Sequence, residues 1–90
     1  MGTVTTRPFR LEGKSLQVNV AGEKLRVEVL DETGRPLTGF SGNEARTYTR
    51  VDDLRLEPLW KGSLPVLKGR VVRLRFHLEK ARLYSFQVTR

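Results

Sequence analysis

Ninety residues, 38% of them hydrophobic and 30% charged, suit one globular domain (1–90) with a modest core and are too apolar for a disordered chain. The absence of cysteine excludes a disulfide framework, a thiolate nucleophile and cysteine-ligated zinc or iron–sulfur centres. A net charge of +7, from 17 Lys+Arg against 10 Asp+Glu, favours contact with polyanions, although acids interleave with the basic residues along the chain.

The opening "MGTVTTRPF" has no basic segment followed by an apolar one, so these residues predict no secretory leader. It already reads as strand, which is expected of a domain cut from a longer chain. In "KSLQVNVAG", Leu16, Val18 and Val20 share one face; in "EKLRVEVL", Leu25, Val27 and Val29 do, with Arg26 and Glu28 facing out. The glycine of "AGEK" between them predicts a hairpin connection. "DETGRPL" predicts a type I turn with Gly34 at positive φ and Asp31 bonding locally, followed by a second hairpin into "PLTGF".

The segment "SGNEARTYTRVDD" is the least patterned and reads as a loop with short strand character at residues 47–50. Alternation returns in "LRLEPLW", where Pro58 marks an edge or bulge. "KGSLPVLKG" reads as a loop or single turn whose Leu64, Val66 and Leu67 cap the core. Val72, Leu74, Phe76 and Leu78 form one face of the longest strand. "EKA" then turns the chain into a last strand with Tyr84, Phe86 and Val88 inward. About seven short strands punctuated by Gly and Pro predict an all-β antiparallel β-sandwich of jelly-roll or Greek-key character, with a small barrel as the alternative.

Catalytic chemistry finds little footing. His77 is the only histidine and lies on the outward parity of a strand, so the expectation is an ordinary wet-face residue with no metal partners. No Gly-x-Ser-x-Gly elbow is present, and the adjacent Asp52 and Asp53 would point to opposite faces of a strand rather than across a cleft. The glycines are scattered singly, so no phosphate cradle forms. The chain is therefore expected not to be an enzyme and to need no cofactor or metal. The apolar runs are too short to span a membrane.

Two binding chemistries remain. For a polyanion such as nucleic acid, Arg70, Arg73, Arg75, His77 and Arg82 supply charge, and Arg26 belongs to the same sheet. Phe76, Tyr84 and Phe86 fall on the apolar parity, however, leaving no outward aromatic to stack bases. For carbohydrate, the candidates are Trp60 beside Lys61-Gly62 and Tyr48 in the polar segment.

"TTRPFRLEGKSLQVNV", "LRVEVLDETGRPLTGFS" and "WKG…LKGRVVRLRFHLEKARLYSFQV" together resemble the C-terminal β-sandwich module of bacterial, planctomycete-type glycoside-hydrolase-like proteins built on a five-bladed propeller. The likeness runs in order from Thr5 to Val88. It departs in the middle, where members often carry a Cys-Asp pair and a Gly-Asp in an acidic loop and this chain has "SGNEARTYTRVDDLRLEP". The resemblance implies a non-catalytic accessory module that packs against a propeller domain or associates with polysaccharide, in a secreted or envelope parent. Nucleic acid is the weaker partner, and sheet edges left bare would allow a homodimer.

Overall fold

The computed structural model describes residues 2–89. It is all-β: an antiparallel sheet curled into a half-barrel, without α-helix. Strand β1 is Gly2–Thr5, β2 Phe9–Arg10, β3 Ser15–Asp31, β4 Thr47–Leu56 and β5 Val71–Thr89. Their order across the sheet is β1-β5-β3-β4, with β2 following β1 along the same side of β5. Two short 3₁₀ turns, Gly42–Glu44 and Leu64–Leu67, interrupt the connections.

The centre of the fold is the ladder between β3 and β5, which pairs Ser15 with Thr89 at one end and Asp31 with Val72 at the other. The hairpins expected at "AGEK" and "EKA" are therefore absent. Both segments are bends inside continuous strands, facing each other across the ladder as Gly22↔Ala81 and Lys24↔Glu79. The reason lies in the spacing of the apolar residues. Val20 and Leu25 are both buried, yet five positions apart; Leu83 and Leu78 on β5 show the same odd interval. Strict alternation would send one member of each pair outward. The ladder breaks alternation once on each strand, where Gly22 (φ 149°) and Lys80 (φ 47°) leave the extended region. Just before the bend, a bulge shifts the register between Asn19 and Val20, giving β5 one extra residue and a stronger local twist.

Curling brings both halves of the ladder onto one core. Leu16, Val18 and Val20 from one half meet Leu25, Val27 and Val29 from the other, with Val72, Leu74 and Phe76 from β5. Leu11, Phe40, Leu64 and Leu67 close the ends. Val66, expected beside Leu64 and Leu67, is instead 75% exposed, because the 3₁₀ turn presents only two of its four residues inward.

The remaining connections follow from local chemistry. Asp31 Oδ1 accepts from the Thr33 N–H (2.9 Å), the Thr33 hydroxyl (2.7 Å) and the Arg35 N–H (2.9 Å), which fixes the turn with Gly34 at φ 93°. The chain then returns alongside β3, where Leu37 N–H donates to Val29 O and Val29 N–H donates to Phe40 O. The short strand character expected at residues 47–50 and the alternation expected from Leu54 belong to one ten-residue strand, with Asp52 and Asp53 exposed within it instead of in a loop. Strand β4 is an edge with few buried side chains, so the apolar period in its sequence is too short to show it as one continuous strand.

Candidate functional site

The outward face of β1, β5, β3 and β4 carries most of the polar chemistry. Cross-strand register aligns two rows there: Thr3, His77, Arg26 and Thr47, and beside it Thr5, Arg75 and Glu28. Directly opposed residues of an antiparallel pair share a face, so these side chains leave the sheet on the same side.

Glu28 is the buried charge of this face. Its Oε2 accepts from the Gly42 N–H at 2.7 Å, and its Oε1 is hydrogen-bonded to His77 Nε2. Burial opposes its ionisation, but the Gly42 N–H, the His77 bond and the nearby Arg26 charge together outweigh it. The carboxyl is held below its ordinary value. His77 is thus not a freely solvated strand residue: it is half-buried and paired with Glu28. Parity placed it outward correctly; the return of residues 40–45 over Glu28 is what removes the pair from water.

The five basic candidates do not form one stripe. Arg73 is committed to structure, donating from Nε to Glu32 O (2.9 Å) and from Nη1 to Thr6 O (3.4 Å). Arg70 is exposed in the connection before β5, and its carbonyl accepts from the Leu11 N–H. Arg82 lies beyond the Lys80 bend, opposite Ala21. Arg75 and His77 share the face described above with the already committed Arg73, joined by Arg26 from β3. A shallow pocket of about 210 Å³ opens there between Lys24, Arg26, Thr47, His77 and Glu79. Glu28, Thr3 and Thr47 had no motif to announce them; only strand register brings them to Arg26.

The two carbohydrate candidates meet beside β4, where the segment carrying Trp60 is bonded to Tyr48. Trp60 bridges to Ala45, donates from Nε1 to Val27 O at 2.7 Å, and packs its ring against Phe40 with centroids 5.9 Å apart. The indole is half-buried between two clefts of about 400 and 570 Å³; the first is bordered by Lys14, Ser15 and Glu57, the second by Asn43, Glu44 and Arg46. Tyr48 is half-buried, not free in a loop. Its hydroxyl accepts from the Leu59 N–H at 2.9 Å and so ties β4 to the Trp60 segment, while Arg46 lies over its ring at 5.4 Å.

A third surface was expected to be core. Tyr84 is 60% exposed and Phe86 37%, because the bulge next to Leu83 and the open side of β5 leave them only partly covered. Phe86 still touches the core through Phe76, at 5.3 Å between centroids. Among the described residues, β1 and β2 cover β5 only as far as Leu78, so the outer edge from Glu79 onward has no strand partner.

Comparison with protein-family models, curated proteins and solved structures returns no match in any of the three.

Proposed function

We propose that this chain is a non-catalytic accessory module of a glycoside-hydrolase-like protein, acting chiefly by packing against a propeller domain. The observation that carries the reading is the open half of β5. A strand edge with unused N–H and C=O groups, bordered by exposed Tyr84 and Phe86, is costly to leave bare and suited to being covered by protein. The ordered likeness to the C-terminal modules of propeller proteins supplies the partner. In this reading the two halves of the curled sheet are the two layers of a β-sandwich.

Co-expression with a five-bladed propeller of that protein type tests the docking. Co-elution that Tyr84→Ser with Phe86→Ser abolishes is the expected outcome; no co-elution, or co-elution indifferent to both changes, refutes it. A dimer of the isolated chain that the same changes dissolve, without propeller binding, would assign the edge to a second copy.

Carbohydrate association is the second reading, favoured by the position of Trp60 between two polar-rimmed clefts. Its indole N–H is already spent on Val27 O, so a sugar would meet the ring rather than a donor. Retardation on neutral polysaccharide gels, reduced by Trp60→Phe, is the corresponding test.

A further inference from the structure

We infer that the outward face of β1, β5, β3 and β4 is a binding site for the acidic group, a sulfate ester or carboxylate, of an anionic polysaccharide, with Arg26 and Arg75 as its anchors. The inference rests on the carbohydrate part of the reading above but uses a different face from Trp60.

The first observation concerns unused donors. A guanidinium offers five N–H donors in a planar fork. Among the described residues, neither Arg26 nor Arg75 has an acid within ion-pair distance, and Arg26 Nε is buried without a hydrogen-bond partner. Arg73, one step along the same strand face, donates to two backbone carbonyls. Other arginines also lack an ion pair, but Arg26 alone has a buried, unpartnered Nε, and Arg75 is its neighbouring guanidinium on the same face.

The second is the fate of the acids. Glu28 is consumed by the Gly42 N–H and His77, and Glu79 faces Lys24 at 3.7 Å. Glu28 lies directly opposite Arg75 and one register step from Arg26, so it moderates the repulsion between the two guanidiniums while its oxygens are held elsewhere. The face keeps a positive excess whose hydrogen-bonding capacity is directed away from the protein's own acids.

The third is spacing. Arg26 is paired with His77 and Arg75 with Glu28, so the two arginines are diagonal neighbours on adjacent strands, about 7 Å apart at the backbone. Two forks at that distance can close on one tetrahedral or planar oxyanion from both sides. The row Thr3, His77, Arg26, Thr47 crosses four strands, about 14 Å at the usual strand spacing. Exposed Thr3, Thr5 and Thr47 add hydroxyls that can exchange hydrogen bonds with sugar hydroxyls flanking the acidic group.

Composition decides between polyanions. The two rows hold threonines, basic residues and Glu28, and no aromatic residue to stack an unpaired base. A glycan needs no such platform here; single-stranded nucleic acid does.

Binding of the isolated chain to dextran sulfate, polygalacturonate, neutral dextran and a single-stranded oligothymidylate, measured by calorimetry at 150 mM salt, tests the site. Expected is binding to one or both acidic glycans, which also tells sulfate from carboxylate, at least tenfold weaker in Arg26→Gln and in Arg75→Gln. Arg55→Gln and Arg82→Gln, which remove the same charge elsewhere, should change it less than twofold. Equal losses in all four variants would reduce the effect to diffuse charge and overturn the proposal, as would equally tight oligothymidylate binding or no binding of either acidic glycan. Should Arg26→Gln unfold the chain, Thr47→Val and Thr3→Val must each weaken binding instead. Retention on neutral gels that depends on Trp60 would survive failure of this site and keep the two readings separable.

Discussion

Replacing Gly22 with alanine should strike the bend on which the whole ladder turns. Gly22 sits at φ 149°, and a Cβ there would overlap Ala81 Cα and Cβ and come within 2.5 Å of Lys80 O. Two costs add. A side chain held at such a φ costs about 1–3 kcal/mol. Relieving the overlap means parting β3 from β5 at the bend, about another 1–3 kcal/mol on the scale of overpacked interiors. Gly34→Ala separates the two, because Gly34 also has positive φ (93°) but no atom within 4 Å of its would-be Cβ. Gly34→Ala should therefore show the backbone cost alone. A chain of this length is expected to be stable by roughly 5–13 kcal/mol, so a loss near 4 kcal/mol removes much of it. It should lower the melting temperature by about 15–30 °C. Urea unfolding followed by Trp60 fluorescence and far-ultraviolet circular dichroism reads both variants. If Gly22→Ala costs no more than Gly34→Ala, close approach at the bend is not what the glycine serves, and the account of the curl fails.

Two further outcomes follow from the same geometry. Glu28 titrates lower in the fold than in the unfolded chain, so its contribution is fully present above its ordinary value of 4.5 and is lost as pH falls through the folded value. Denaturant midpoints measured from pH 7 to pH 3 should fall in the acid limb. Glu28→Gln should flatten that limb and cost about 1.5–3 kcal/mol at pH 7, the range for hydrogen bonds to a charged group. An unchanged acid limb would remove Glu28 from the account, leaving the turn carboxylate Asp31, also held low by the Thr33 and Arg35 bonds, as its source. Trp60→Phe keeps the ring against Phe40 but deletes the donor to Val27 O; a loss of about 1–3 kcal/mol is expected for the orphaned carbonyl. A neutral result would mean that water replaces the indole N–H freely.

Much of the sheet could be read from period-two alternation, and the Asp31–Gly34 turn from its residue types. The inward faces at Leu16–Val20, Leu25–Val29 and Val72–Phe76 are as the pattern dictates. What alternation could not reveal is that a glycine between two opposite parities can serve a bend as well as a hairpin. "AGEK" and "EKA" look like turns one at a time; only their mutual pairing, sixty residues apart in sequence, makes them one feature. Strand β4 was legible only in two pieces, at residues 47–50 and from Leu54, because the polar stretch between them on an edge strand carries no sustained apolar period. On the candidate site, sequence parity put Arg75 and His77 outward and Arg26 on their sheet. Register, which sequence does not carry, put Glu28 between them and sent Arg82 past the bend. Tyr84 and Phe86 were misread because the bulge and the missing neighbour strand uncover residues that hydrophobicity alone assigns inward.

The pairing of β3 with β5 also dictates when the protein can begin to fold on the ribosome. Strand β3 is synthesised early, yet its main partner is completed only at Thr89. At a translation rate of about 5–20 residues per second, β3 waits roughly 3–12 s after Asp31 is made before that partner exists. Meanwhile only β4, through Val18–Arg26, and residues 36–40, at Val29 and Leu30, can bond to it, leaving the whole β5 side of β3 without a ladder. Nascent chains of this protein should therefore be bound by chaperones that recognise extended apolar segments, and released in a single late step.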